Sequence, residues 1–214
     1  MQIHRRHFLS SSIALALGAA LPDILFAQSA AAPPPPYERL PRPMPREGAG
    51  RIAVLEFFSY GCNHCNDFHP IISKWAARQP AHVAFRRVPV AWDARWASLA
   101  RLYYALEISG ELAELDTKVF DALHKQRQRL YTEKTILAWY AKQGGNAEKL
   151  GETMKSFSVM SKVNQGEKLR LSAQVDSVPA VVVDGAYKML GASYEELLEN
   201  TDRLIAQIKK QNAK

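Results

Sequence analysis

The sequence predicts an α/β fold in which a helical segment separates a β-α-β unit from a β-β-α unit. From residue 51 to residue 92, an apolar run, a helical repeat and a second apolar run follow one another. Residues 93–172 show helical periodicity without a convincing strand. Residues 173–214 contain two short apolar runs around a turn and then an amphipathic helix. Since a strand, a helix and a strand in this order form a parallel pair with a right-handed crossover, we expect residues 51–92 and 173–214 to form one domain and residues 93–172 an inserted helical domain.

The composition is that of a water-soluble globular protein. Of 214 residues, 47% are hydrophobic and 23% charged, which excludes disorder, collagen and coiled coils. The formal net charge is +7, but lysines and arginines are dispersed, and the densest basic run, residues 124–129, is interpreted as a solvated helix end. We therefore expect no nucleic-acid partner. Two cysteines are too few for a disulfide scaffold.

Residues 1–30 have the pattern of an export signal. A basic start precedes an apolar run over residues 13–21, and small residues over 27–31 offer cleavage points. Arg5 and Arg6 also resemble the twin-arginine pattern, so the twin-arginine and general secretory routes both remain open. An uncleaved membrane anchor is the alternative, although the run falls short of the roughly 20 residues that a spanning helix needs. Either way we expect the protein outside the cytoplasm, in the bacterial periplasm, where disulfides persist.

The first elements of the fold are expected after a proline-rich segment. Residues 31–50 contain a run of four prolines and three more, which predicts an extended spacer outside the core, with folding starting near Arg51. Ile52–Phe58 reads as a strand buried on both faces, interrupted only by Glu56. Apolar positions at helical spacing predict a helix from Cys62 to about Gln79, kinked at Pro70, and residues 83–88 read as a second strand.

The later elements follow from periodicity and turn signals. Helices are expected at 94–107, 111–127, 132–143, 147–156 and 161–172. Ala180–Val183 and residues 187–190 flank Asp184-Gly185, which predicts a hairpin with a two-residue type I′ turn. Ser193 and Glu196 then form a capping-box start for the last helix.

Cys62 and Cys65 are the candidate reactive groups, because they lie where the first helix begins. Three positions along a helix place both sulfurs on one face, within reach of a disulfide. The unpaired N–H groups of the first turn favour the thiolate of Cys62, and a protonated His64 would add to this effect. Cys65, one turn further, should be the more buried. A stabilised thiolate leaves easily, which predicts a reactive, oxidising disulfide.

The two cysteines have three alternative uses. A structural disulfide is common in exported proteins, but a gap of two residues constrains the unfolded chain little. Zinc could be held by Cys62, Cys65 and His69, although a structural site needs a fourth ligand. Haem attachment requires a histidine directly after the second cysteine, where Asn66 stands. A catalytic dithiol is the preferred interpretation.

Three stretches of the sequence resemble a known family. The stretch from Leu55 through Cys65, the helical insertion, and the stretch from Ser177 to Ala180 resemble the DsbA-type oxidoreductases of the thioredoxin fold. The resemblance covers about residues 51–210. It implies a thioredoxin fold with a helical domain inserted between its β-α-β and β-β-α halves.

The resemblance also implies roles for single residues. Cys62 matches the exposed nucleophilic cysteine, Cys65 its buried partner, and His64 the histidine between them, whereas Asn63 replaces a common proline. Val178-Pro179 matches a pair whose cis peptide faces the disulfide and pairs with an extended substrate.

Glu56 matches a buried acid that could exchange a proton with Cys65, unless it faces water at the strand end. Tyr60, Trp92 and Trp96 could line an apolar groove or lie in the core. His69, His82 and His124 are assigned no role.

The function implied is that of a cofactor-free thiol:disulfide interchange protein. It would donate the Cys62–Cys65 disulfide to reduced, unfolded exported proteins and be reoxidised by a quinone-linked, DsbB-like membrane oxidoreductase. We expect a monomer. A disulfide isomerase or reductase of the same fold, and a chaperone-like binding module, are the alternatives.

Overall fold

A five-stranded sheet forms the centre of the computed structural model, which describes residues 35–45 and 50–212. The strands are β1 (Tyr37–Arg39), β2 (Ile52–Phe58), β3 (Val83–Pro89), β4 (Ala180–Val183) and β5 (Tyr187–Met189). Their order across the sheet is β1-β5-β4-β2-β3, with β2 and β3 parallel and all other pairs antiparallel. The predicted β-α-β unit and hairpin are confirmed. The expected export signal lies outside the described residues.

Helices occupy the segments in which periodicity predicted them. They are α1 (Asn63–Ala77), α2 (Ala94–Ile108), α3 (Leu112–Phe120), α4 (Glu133–Lys142), α5 (Ala147–Lys155), α6 (Phe157–Ser172) and α7 (Tyr194–Asn212). A π-helix, Asp121–Lys125, continues α3. The helix α6 begins before residue 161, because the Ser156 side chain accepts a hydrogen bond from Val159 N and caps it there. In the described part of the chain, none of the helices is both long and apolar enough to cross a membrane.

The sheet has apolar contacts on both faces. Helices α1 and α7 pack on one face, where Ile72 and Ile205 meet Val54 and Val181. Leu169 of α6 packs with Leu55 and Phe57 on the other face. The inserted helices share a further core with Phe58 and Cys65, the residues at the end of β2 and the start of α1. The end of β2 is therefore the place where the sheet, α1 and the inserted helices meet.

The prediction that residues 31–50 are a spacer outside the core is wrong for the part that the structure describes. Strand β1 pairs with β5, and the side chains of Leu40 and Met44 are buried. Leu40 N and Met44 N donate to the carbonyls of Ala186 and Gly185, at 2.8 and 2.7 Å. Proline has no N–H, but the donors here are Leu40 and Met44, so the proline-rich segment can still pair with the edge of β5. The folded domain therefore begins before Arg51.

The hairpin turn differs from the prediction by one residue. Asp184 and Gly185 have φ angles of 50° and 66°, the positive values expected for this pair. However, Val183 pairs with Tyr187, so three residues and not two separate the strands. A Cβ at Gly185 would lie 2.8 Å from the carbonyl oxygen of Met44, which makes glycine necessary where the N-terminal segment crosses the turn.

Candidate active site

Cys62 and Cys65 lie at the N-terminus of α1, as predicted. Cys62 is the N-cap residue, and its sulfur accepts a hydrogen bond from Cys65 N at 3.3 Å. Both residues are free thiols in this structure. Cys65 has no exposed surface and Cys62 retains 9%. The expected order of burial is confirmed. Cys62 is nevertheless less exposed than predicted, because other segments of the same chain cover most of its surface.

The surroundings of the two sulfurs favour opposite protonation states. A hydrogen bond from the Cys65 thiol, together with the N–H groups of Cys65 and His64, lowers the pKa of Cys62 to about 6. The exposed His64 side chain adds a smaller electrostatic contribution. Burial raises the pKa of Cys65, and its hydrogen bond to Cys62 raises it further. Cys62 is therefore the thiolate at neutral pH, and Cys65 keeps its proton.

Val178 and Pro179 lie beside Cys62, although they are far from it in the sequence. The peptide bond between them is cis, as the family resemblance implied. Cys62 Sγ lies 3.4 Å from the carbonyl oxygen of Val178, to which it can donate a hydrogen bond only when the thiol is protonated. A cleft of about 530 Å³ borders this contact, and its walls include His64, Val178, Pro179 and Tyr194. Tyr194 also donates from its hydroxyl to the carbonyl oxygen of His64 at 3.2 Å, which ties the start of α7 to the active-site turn.

Glu56 is fully buried in β2, so the alternative that it faces water is wrong. The parallel register places it opposite Arg87 of β3, whose Nε donates to Glu56 Oε2 at 2.7 Å. Burial raises the pKa of Glu56, while the charge of Arg87 opposes this rise. The charge of Glu56 in turn contributes to the raised pKa of Cys65, which places the carboxyl within electrostatic range of the deeper sulfur.

Sequence reasoning missed two charged residues next to Glu56. Arg87 Nη1 donates to Asp116 Oδ2 at 2.6 Å, and Tyr60 donates from its hydroxyl to Asp116 Oδ1 at 2.5 Å. Arg86 and Arg87 in an otherwise apolar strand were a visible signal for a buried partner. Nothing in the sequence pointed to Asp116, because it lies in α3, within the insertion.

The aromatic residues considered for a substrate groove, and His124, lie in different parts of the structure. Tyr60 is fully buried in the core, whereas Trp92 is 41% exposed and stacks on Trp96 with ring centroids 4.9 Å apart. His124 is not at a solvated helix end, since its Nε2 donates to the carbonyl oxygen of Tyr60 at 2.7 Å. This bond connects the π-helix to the turn before Cys62.

The three residues of the alternative zinc site, Cys62, Cys65 and His69, are not joined by a fourth ligand in the described residues. His69 directs its ring nitrogens to the hydroxyls of Thr117 and Ser73, at 3.1 and 3.3 Å. Among the residues that the structure describes, no three His, Cys, Asp or Glu side chains form a group that could hold a metal ion.

The sequence and the structure are both similar to known proteins. The family model described as DSBA-like thioredoxin domain matches residues 53–201. A Thiol:disulfide interchange protein DsbA of Bordetella parapertussis is 37% identical over 178 residues, covering 81% of this chain and 85% of that protein. The DsbA of Burkholderia cepacia is 35% identical over 204 residues, covering 95% and 96%. The crystal structure of Pseudomonas aeruginosa DsbA superposes with a TM-score of 0.80 at 32% identity, covering 84% of this chain and 95% of that one. With the paired cysteines at the start of α1, these matches show that the chain belongs to the DsbA-like family of thioredoxin-fold thiol:disulfide oxidoreductases.

Proposed function

We propose that this protein oxidises pairs of thiols in exported client proteins by transferring a disulfide from Cys62 and Cys65. The observation that carries the proposal is the difference between the two sulfurs, a pKa lowered to about 6 at Cys62 and raised at Cys65. Because the folded protein stabilises the Cys62 thiolate, it favours its own reduced state. The pair therefore accepts electrons from clients readily.

The reaction begins with the attack of a client thiolate on Cys62 Sγ. The Cys62–Cys65 bond breaks, Cys65 leaves with the electron pair and is protonated, and a mixed disulfide joins the client to Cys62. A second client thiolate then attacks the client sulfur of that bond. Cys62 leaves as its stabilised thiolate, and the client departs with a new disulfide.

The cleft beside Val178 and Pro179 is the proposed client site. Its walls are mostly apolar surface, and the Val178 carbonyl already lies next to the sulfur of Cys62. An extended client segment can pair with this backbone, which reads the shape of the chain more than its sequence. Such a site suits unfolded clients of varied sequence.

The site of action and the reoxidation follow from the same chemistry. We place the protein in the periplasm as a monomer, delivered by the signal over residues 1–30, because an oxidising dithiol needs a compartment where disulfides persist. Each cycle leaves the protein reduced, so a DsbB-like, quinone-linked membrane oxidoreductase is the proposed electron acceptor.

Oxidation of a reduced, unfolded ribonuclease tests the proposal. The oxidised wild-type protein should consume two client thiols per molecule, and Cys62→Ser should consume none. Cys65→Ala should also consume none, because a protein with Cys62 alone has no internal disulfide to transfer. Equal oxidation by wild type and Cys62→Ser would refute the proposal and favour a binding module.

A titration of the dithiol against glutathione separates an oxidase from the alternatives of the same fold. The lowered pKa of Cys62 predicts an oxidising couple. A strongly reducing couple would refute the oxidase assignment.

A further inference from the structure

Arg87 lies between two carboxylates that come from different parts of the fold. Its Nε donates to Glu56 of β2 at 2.7 Å and its Nη1 to Asp116 of α3 at 2.6 Å. The guanidinium also lies over the ring of Phe58, 3.8 Å from the centroid. Arg87 is therefore paired with two carboxylates. The charge of each carboxylate weakens the electrostatic interaction of Arg87 with the other.

The two acids differ in access to water. Glu56 has no exposed surface, and its Oε1 has no hydrogen-bond partner among the described residues. The side chain of Asp116 is 16% exposed and lines a cleft of about 910 Å³ between α1 and α3. Both oxygens of Asp116 accept hydrogen bonds, from Tyr60 and Arg87. Both oxygens of Asp116 are thus paired, whereas Glu56 has a buried unpaired oxygen that can carry a proton.

The other ionisable groups near Glu56 and Asp116 do not change this difference between the two acids. Four groups interact electrostatically with Glu56, Arg87 or Asp116: Tyr60 after β2, Cys65 and His69 in α1, and Tyr103 in α2. Asp121 of the π-helix interacts with His69. Burial raises the pKa of both tyrosines, so neither carries charge at neutral pH. Burial also lowers the pKa of His69. Arg87 is the cation that Glu56 and Asp116 share.

We propose that Asp116 is a positioning residue for proton transfer at Cys65, because it neutralises Arg87 and so leaves Glu56 free to hold and release a proton. This inference rests on the proposed disulfide transfer and extends it to a residue of the inserted helices. In the attack on Cys62, Cys65 leaves with the electron pair of the disulfide. Glu56 donates its proton to that sulfur, giving the Cys65 thiol and the Glu56 carboxylate. In reoxidation the proton returns from Cys65 to Glu56 as Cys65 attacks the mixed disulfide.

The direction of the effect follows from the contributions to the pKa of Glu56. Burial raises this pKa, Arg87 lowers it, and Asp116 raises it again. When the charge of Asp116 is removed, Glu56 is the only carboxylate paired with Arg87. The ionised form of Glu56 is then more stable. At neutral pH less of the protonated acid is then present when Cys65 leaves. Each pH unit by which the pKa of Glu56 falls lowers its protonated fraction at neutral pH about tenfold.

The test uses Asp116→Asn, which keeps the shape of the side chain and its bond to Tyr60. The measured quantity is the rate at which reduced glutathione forms a mixed disulfide with the oxidised protein, as a ratio to wild type at each pH. The ratio cancels the ionisation of glutathione itself. We expect a ratio near one in acid that falls about tenfold towards neutral pH. The ¹³C resonance of the Glu56 carboxyl should titrate at lower pH in the variant than in the wild-type protein.

Two further proteins separate this role from a structural one. Asp121→Asn removes a neighbouring charge that lines the same cleft and pairs with Lys125, without contact to Arg87, and should keep a flat ratio. In a Glu56→Gln background, Asp116→Asn should change the ratio no further, since Asp116 acts through Glu56.

Each outcome has a distinct meaning. A flat ratio for Asp116→Asn with wild-type oxidation intact would overturn the role of Asp116 and leave the proposed function standing. An additional pH-dependent loss in the Glu56→Gln background would also overturn it. If the wild-type protein formed no mixed disulfide, the proposed function itself would fail.

Discussion

Lowering the pH should destabilise the reduced protein more than the oxidised protein. The pKa of Cys62 is about 6 in the folded, reduced chain, against 9.0 for the ordinary thiol. Because this pKa is depressed by folding, the stabilisation is complete above the pKa of the unfolded chain and is lost as the pH falls through the folded value. Between the two values, the free energy of unfolding should change by at most about 1.4 kcal/mol per pH unit.

The size of the effect can be worked out for a fall from about pH 8 to about pH 6. Full linkage gives about 2.3 kcal/mol, and because Cys62 keeps some contact with solvent we halve this to about 1 kcal/mol. Other acids titrate in both redox states, whereas the oxidised protein has no ionisable sulfur at Cys62. The difference between the two forms therefore reports mainly on Cys62.

Urea unfolding followed by circular dichroism measures this difference. Reduced and oxidised protein would be unfolded at both pH values, with Cys62→Ser as a control that has no thiolate. The advantage of the reduced form should shrink by about 1 kcal/mol at the lower pH. An advantage that is equal at both pH values would refute the reasoning, because it would mean that Cys62 ionises in the folded protein as it does in the unfolded chain.

Three substitutions test other parts of the structure by the same unfolding assay. Leu40→Ala should cost about 2–4 kcal/mol, since Leu40 is buried; a loss below about 0.5 kcal/mol would show that the N-terminal segment is not part of the core. Gly185→Ala should cost about 1–3 kcal/mol because of its positive φ and the contact with Met44, and an unchanged midpoint would contradict this turn. Arg87→Met should cost about 3–5 kcal/mol at neutral pH because two carboxylates lose their counter-charge. The loss should shrink in acid, where Glu56 is protonated, and a loss independent of pH would argue against a charged pair.

Much of the fold could be predicted because its signals are local. The alternation of apolar runs and helical repeats placed β2, α1, β3 and the inserted helices, and Asp184-Gly185 placed the hairpin turn. The boundaries were less certain, since a cap such as Ser156 can start a helix earlier than its apolar pattern does. The strand β1 could not be predicted, because a proline-rich segment joins a sheet only where an edge is open to it.

The sequence by itself determined the reactive pair and its position at a helix start, because both depend on residues within a few positions of each other. Tertiary structure decided how these residues are used. Tyr60 and Asp116 are 56 positions apart, and Cys62 and Val178 are 116 apart, yet each pair is in contact. Such contacts depend on how the sheet, α1 and the inserted helices pack around the end of β2. Packing of this kind leaves no local pattern in the chain, so Arg87 and Asp116 became visible as partners of Glu56 only in the folded protein.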